Sequence, residues 1–180
     1  IPPAKVTLRD GDILSIDTGA TVDGWVGDNA WTYPVGKVSE EKKKLLRVTE
    51  QCMWAGLDAA RAGNRLGDIG YAVQSIAEGE GYGVVRELVG HGIGREMHEE
   101  PNVPNYGHRH LGMKLEVGMV LAIEPMINCG TRNVRFMPDG WLVCTRDGKP
   151  SAHFEKTVAI TKEGPVVLTI EPDYRCPVSK

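Results

Sequence analysis

Ile13-Leu14-Ser15-Ile16-Asp17-Thr18-Gly19 is followed, past Val22-Asp23-Gly24, by Trp25-Val26-Gly27-Asp28 and then by Trp31 and Tyr33. The β-branched and aromatic residues on either side favour strands, and Asp23-Gly24 supplies a turn. Residues 12–34 therefore read as a β-hairpin. Asp17 ends an apolar run, where a carboxylate is costly unless something pairs with it. Asp28 follows eleven residues later. If the turn centres between Val22 and Asp23, the two aspartates face each other directly. If it centres on Asp23-Gly24, they sit diagonally on one face. Either way their side chains lie within roughly 5–8 Å, close enough to share a pair of metal ions.

Three further residues repeat the oddity. Glu124 ends Met119-Val120-Leu121-Ala122-Ile123, Glu155 precedes Lys156-Thr157-Val158-Ala159-Ile160, and His91 lies inside Gly90-His91-Gly92-Ile93-Gly94. Each has an ordinary reading. Asp28 near a turn is more often a turn or cap residue, and His91 between glycines can simply fill a turn. Glu124-Pro125 can be an exposed strand end, and Glu155 can pair with Lys156 or Arg146. Taken together, four carboxylates and one imidazole suit two divalent ions of the Mn²⁺, Fe²⁺, Co²⁺ or Zn²⁺ type. Two such ions activate a water and polarise a carbonyl. The set points to a metal-assisted hydrolase.

Around the hairpin the chain alternates little. A helix is expected from about Ser39 to Ala62, with Ser39 as N-cap and Glu40 and Glu41 complementing the dipole. Leu45, Thr49, Cys52, Met53, Gly56, Leu57 and Ala60 form its apolar stripe. A second helix is expected over 67–80, with Ile69, Val73, Ile76 and Ala77 inward, and a strand over 84–88. Residues 90–94 hold too many glycines for regular structure, and 101–112 read as an exposed loop. Strands should follow at 119–128, 133–138, 141–145, 153–160 and 165–170. The order predicts an α+β domain whose antiparallel sheet is covered by helices.

Composition narrows the class. The 180 residues suit one domain, and 41% hydrophobic with 25% charged residues is ordinary globular composition. A net charge of −3 gives no electrostatic case for nucleic acid. The apolar runs are too short to span a bilayer, so no membrane partner is expected, and no signal peptide opens the chain. Cys52, Cys129, Cys144 and Cys176 form no CxxC pair and read as reduced thiols of a cytoplasmic protein. The opening Ile1-Pro2-Pro3 lacks Met, as in a processed or cut chain or a fragment.

Ile16-Asp17-Thr18-Gly19, Gly27-Asp28, Gly90-His91-Gly92-Ile93-Gly94, His98-Glu99-Glu100-Pro101, Ile123-Glu124-Pro125-Met126 and Ser151-Ala152-His153-Phe154-Glu155-Lys156-Thr157 together resemble the type I methionine aminopeptidases. The resemblance runs to about Leu168. Prolidases and proline aminopeptidases share the five-ligand plan. The segment Asp139-Gly140-Trp141 through Thr145-Arg146-Asp147-Gly148 to Ser151-Ala152 favours the methionine enzymes.

The resemblance implies the pita-bread fold, two halves about a pseudo-twofold axis with the metals between them. It implies that Asp17 chelates one metal, that His91 and Glu124 bind the other, and that Asp28 and Glu155 bridge. A water held between the two attacks the carbonyl of an N-terminal methionine when the next residue is small. Glu124 relays its proton, and His98 hydrogen-bonds the scissile peptide. Trp141 and Met97 line the methionine pocket, and Ser151 contributes to a monovalent-cation site. Nascent N-termini, with the ribosome as a further candidate, are the implied partners, and a monomer is implied where the family's N-terminal segment is present.

Some positions depart from the family. Met97 stands where many relatives carry an aromatic residue, and Asn29 replaces a common threonine. The His-Gly pair expected before Ile1-Pro2 and an N-terminal segment are absent from this sequence. One catalytic domain over 1–180 lacking that segment is the expectation. Rival readings are a proline-directed peptidase of the same fold and a pita-bread binding module without catalysis.

Overall fold

The computed structural model describes residues 6–170; Ile1-Pro2-Pro3 and Cys176 lie outside them. The hairpin forms as read: β1 (Ile13–Val22) pairs antiparallel with β2 (Trp25–Pro34), Val22 opposite Trp25. Asp23 and Gly24 take φ of 51° and 74°, the paired positive values of a tight two-residue hairpin turn. Asp17 then pairs with Ala30 and Asp28 with Gly19. The aspartates are therefore diagonal neighbours on one face, the second of the two registers the sequence allowed.

Helix α1 (Glu40–Ala59) starts where Ser39 accepts the Lys42 N–H at 3.3 Å. It ends about one turn earlier than expected, and Val48 joins the stripe that is buried. Helix α2 (Leu66–Gly79) buries Ile69, Gly70, Val73 and Ala77. Gly56 lets the helices close: a Cβ there would crowd Val73 Cγ2 at 3.0 Å and Ile123 Cγ2 at 3.1 Å.

The expected strand at 84–88 shrinks to β3 (Gly83–Val84). The chain bends after it, which leaves Leu88 and Val89 free to line a cleft. The glycine-rich stretch also departs from expectation. Gly90–Gly92 is a strand, β4, in the middle of a sheet. Its glycines serve close packing: a Cβ on Gly90 would collide with Ala122 O, and one on Gly92 with Glu100 O. The predicted exposed loop at 101–112 is likewise partly ordered. Its start belongs to β5 (Glu99–Val103), and Val103 and Asn105 are fully buried. The rest crosses α2 so closely that a Cβ on Gly67 or Gly70 would strike the carbonyls of His108 or Tyr106.

Two predicted strands are each split in two. Residues 119–128 give β6 (Val120–Ile123) and β7 (Met126–Asn128). Residues 153–160 hold the end of β10 (Ser151–His153), which starts two residues earlier, and all of β11 (Lys156–Ile160). Between them lies a small pair, β8 (Val134–Phe136) with β9 (Val143–Thr145), and β12 (Pro165–Val167) closes the described chain. The large sheet runs β12-β11-β6-β4-β5 and the smaller one β10-β7-β3, every pair antiparallel. At both breaks the chain steps from one sheet into the other. Lys156 pairs with Ile123 in the large sheet and His153 with Met126 in the small one, so the breaks at Glu124-Pro125 and Phe154-Glu155 oppose each other.

Helix α1 packs on strands of both sheets, among them β6, β7, β10 and β11. The core it covers includes Leu45, Met53, Leu121, Ile123, Ile127 and Phe154. Cys52, Cys129 and Cys144 are free thiols. No helix among the described residues is long and apolar enough to cross a membrane.

Candidate metal centre

Glu124 and Glu155 occupy the two opposed breaks. Glu124 lines a cleft at this point, and Glu155 is buried beside it. The hairpin docks against this point. Glu155 N donates to Ala30 O at 2.8 Å. The Thr157 hydroxyl accepts from Asp28 N at 3.0 Å and donates to Asp28 O at 2.8 Å. These bonds hold Asp28 at the cluster, where it is buried. His91 enters from β4, opposite Ala122 of β6. Its Nδ1 lies 2.9 Å from Gly92 O. A carbonyl only accepts, so Nδ1 carries the hydrogen and Nε2 keeps its lone pair for a cation. That Nε2 is 3.6 Å from Glu124 Oε1 and 3.9 Å from Asp28 Oδ2.

Two groups of donors lie within 4.8 Å of one another: Asp28, His91 and Glu155, and Glu124, His153 and Glu155. Glu155 belongs to both. Its residue is 1% exposed, and its Oε1 has no hydrogen-bond partner. Burial, then the charges of Glu124, Asp28 and Asp17, push its pKa up to about 9. Asp17 borders the cleft from the outer hairpin strand, though the residue as a whole is exposed. Partial burial raises its pKa; His153 opposes that rise, while Asp28 and Glu124 add to it. A cluster in which burial opposes the ionisation of Glu155 and Asp17 and leaves buried donor atoms unpartnered is a set that divalent cations fit.

Beside the cluster is a cleft of about 510 Å³, lined by Asp17, His91, His98, Glu124 and His153 on its polar side. Leu88, Val89, Met126, Trp141 and Val143 form its apolar side. The His98 ring stands edge-on to His91, centroids 4.4 Å apart. Trp141 borders the cleft while 86% exposed. Met97 is not among the lining residues; it lies over Gly19, whose missing Cβ makes room for it. Ser151 stands opposite Asn128, whose Oδ1 is buried without a hydrogen-bond partner. Asn29 receives Lys156 Nζ on its amide oxygen.

Sequence reasoning passed over His153 and the apolar lining of Leu88, Val89, Met126 and Val143. In sequence His153 reads as an ordinary strand residue, because its place at the cluster is set by pairing with Met126 of β7.

The described geometry has counterparts. Residues 1–162 match the model of metallopeptidase family M24. Methionine aminopeptidase 1 of Bacillus subtilis is 53% identical over 169 residues, covering 94% of this chain and 68% of that protein. The crystal structure of the methionine aminopeptidase from Thermotoga maritima aligns with a TM-score of 0.92 at 44% identity, covering 95% of this chain and 69% of that one. The prolidase from Pyrococcus furiosus aligns more distantly, TM-score 0.72 at 27% identity, over 91% of this chain and 43% of its own. This chain thus spans about two thirds of the length of its methionine aminopeptidase relatives. The two-sheet arrangement closing on a carboxylate cluster is the pita-bread fold of these enzymes. The chain belongs to metallopeptidase family M24, in its methionine aminopeptidase branch.

Proposed function

We propose that this chain is a metal-dependent aminopeptidase that removes N-terminal methionine from nascent proteins and peptides when the second residue is small. One observation carries the reading: Asp28, His91, Glu124 and Glu155 converge from different elements, with Asp17 bordering the same cleft. Asp17, Asp28, His91, Glu124 and Glu155 would hold two divalent ions, of Co, Mn, Fe or Zn. When bound, such ions supply a Lewis acid and a water acidic enough to give a nucleophile at neutral pH.

The rest is the work of side chains. Glu124 lies at the cleft wall; it accepts the proton of the attacking water and returns it to the leaving amine. His98, facing the same cleft, hydrogen-bonds the scissile peptide and steadies charge on its carbonyl oxygen. Trp141 with Leu88, Val89, Met126 and Val143 takes the thioether side chain, while Met97, packed over Gly19, stands outside that lining. Ser151, opposite Asn128, marks the monovalent-cation position. The chain acts as one catalytic domain, and the ribosome is its proposed larger partner.

The test is cleavage by the metal-loaded chain of Met-Ala-Ser against Xaa-Pro dipeptides. Release of methionine from Met-Ala-Ser, with Xaa-Pro untouched, is expected. Cleavage of Xaa-Pro alone would move the chain to the proline-directed relatives. Two bound metals with neither activity would make it a binding module.

A further inference from the structure

His153 has no role in the five-residue plan, yet it sits inside the cluster. Its Nε2 is buried and has no hydrogen-bond partner, although it comes within 3.2 Å of Glu124 Oε2. The approach is short, but no directed hydrogen bond results. An imidazole nitrogen left in that condition among carboxylates costs free energy, unless something else takes its lone pair.

The surroundings say what that is. His153 Nε2, a Glu124 oxygen and a Glu155 oxygen lie within 4.8 Å of one another. Two donors at right angles on a metal with bonds of about 2.1 Å stand roughly 3 Å apart, close to the 3.2 Å seen between His153 and Glu124. Glu155 contributes the second unpartnered atom of the group, Oε1. The backbone of His153 is fixed on both sides by Thr32: the hydroxyl accepts from His153 N at 2.9 Å and donates to His153 O at 2.7 Å. The ring is therefore held at the cluster by its strand.

We propose that His153 is a sixth protein ligand of the metal centre, binding through Nε2 at the position shared by Glu124 and Glu155. The proposal rests on the metal-dependent reading above and extends it. The centre then carries two imidazoles, His91 and His153, with Glu155 common to both donor groups. A second nitrogen shifts preference towards Zn²⁺ and Co²⁺ and away from Mn²⁺.

The test uses the full chain, His153→Ala and His153→Gln, each loaded with two equivalents of Co²⁺. Calorimetry reads the affinities, X-ray absorption counts imidazoles per cobalt, and circular dichroism confirms the fold. The glutamine variant keeps polar bulk and a donor for Glu124, but its amide is a poor ligand. The expected result is an average of about one imidazole per cobalt in the parent chain and about half in both variants, with one of the two sites weakened at least tenfold. About half an imidazole per cobalt in the parent, with Met-Ala-Ser still cleaved, overturns the proposal and leaves the aminopeptidase reading standing. Full affinity in His153→Gln overturns it too, because a hydrogen bond to Glu124 would then explain the contact. A parent chain that binds no cobalt overturns both.

Discussion

Asp28 shows how much one side chain carries. Its backbone is tied twice to Thr157, and its Oδ1 also accepts from Asn29 N at 2.9 Å. Its other oxygen is left to face His91. Asp28→Asn keeps the shape and the backbone bonds but removes a negative charge from the proposed metal site. Metal affinity at one site or both should fall by roughly a hundredfold, read by titration calorimetry; two unchanged sites would refute its place in the set. Such residues were legible because a lone carboxylate at the end of an apolar run is conspicuous. Asp17, Glu124 and Glu155 stood out for the same reason. His153 did not: in Ser151-Ala152-His153-Phe154 it looks like any strand residue. The register that sets it beside Glu124 comes from pairing with Met126, which local sequence does not contain.

Among the elements, β4 is the one the sequence hid. A glycine-rich stretch reads as irregular when glycine is taken as freedom. Here it buys proximity, with β5 and β6 pressed against both edges. Gly90→Ala should therefore destabilise the fold by about 3 kcal/mol, because its methyl would meet Ala122 O and the Val103 carbonyl 3.2 Å away. A shift in the denaturation midpoint measures this, and an unaltered midpoint would show that the sheet can spread. The hairpin and both helices were readable because their signals are local: a two-residue turn, an N-cap, a stripe of period 3.6. The breaks at Glu124-Pro125 and Phe154-Glu155 were not, since the stepping of a strand between sheets depends on neighbours far along the chain.

Across the whole molecule, the metal centre sets a pH dependence. Glu155 has a folded pKa of about 9 against an ordinary 4.5. The metal-free fold thus holds a proton that the unfolded chain releases. This contribution is complete below about 4.5 and is lost as pH rises towards 9, and Asp17 acts in the same direction. Asp68, Asp139 and Asp147 are shifted down by backbone hydrogen bonds, so their stabilisation fades only in acid, outside this window. Scanning calorimetry in chelator should show the melting temperature falling between about pH 6 and pH 9, and added Co²⁺ should restore it most at the alkaline end. A flat chelated profile would mean that charging Glu155 costs nothing. The hairpin latch also has a meaning in time. Thr157 closes on Asp28 across 129 residues. At about 5–20 residues per second of synthesis, the first two carboxylates wait roughly 6–25 s on the growing chain before their anchor exists. An enzyme whose proposed task is to trim newborn chains must itself be made past Thr157 before its own proposed metal site is complete.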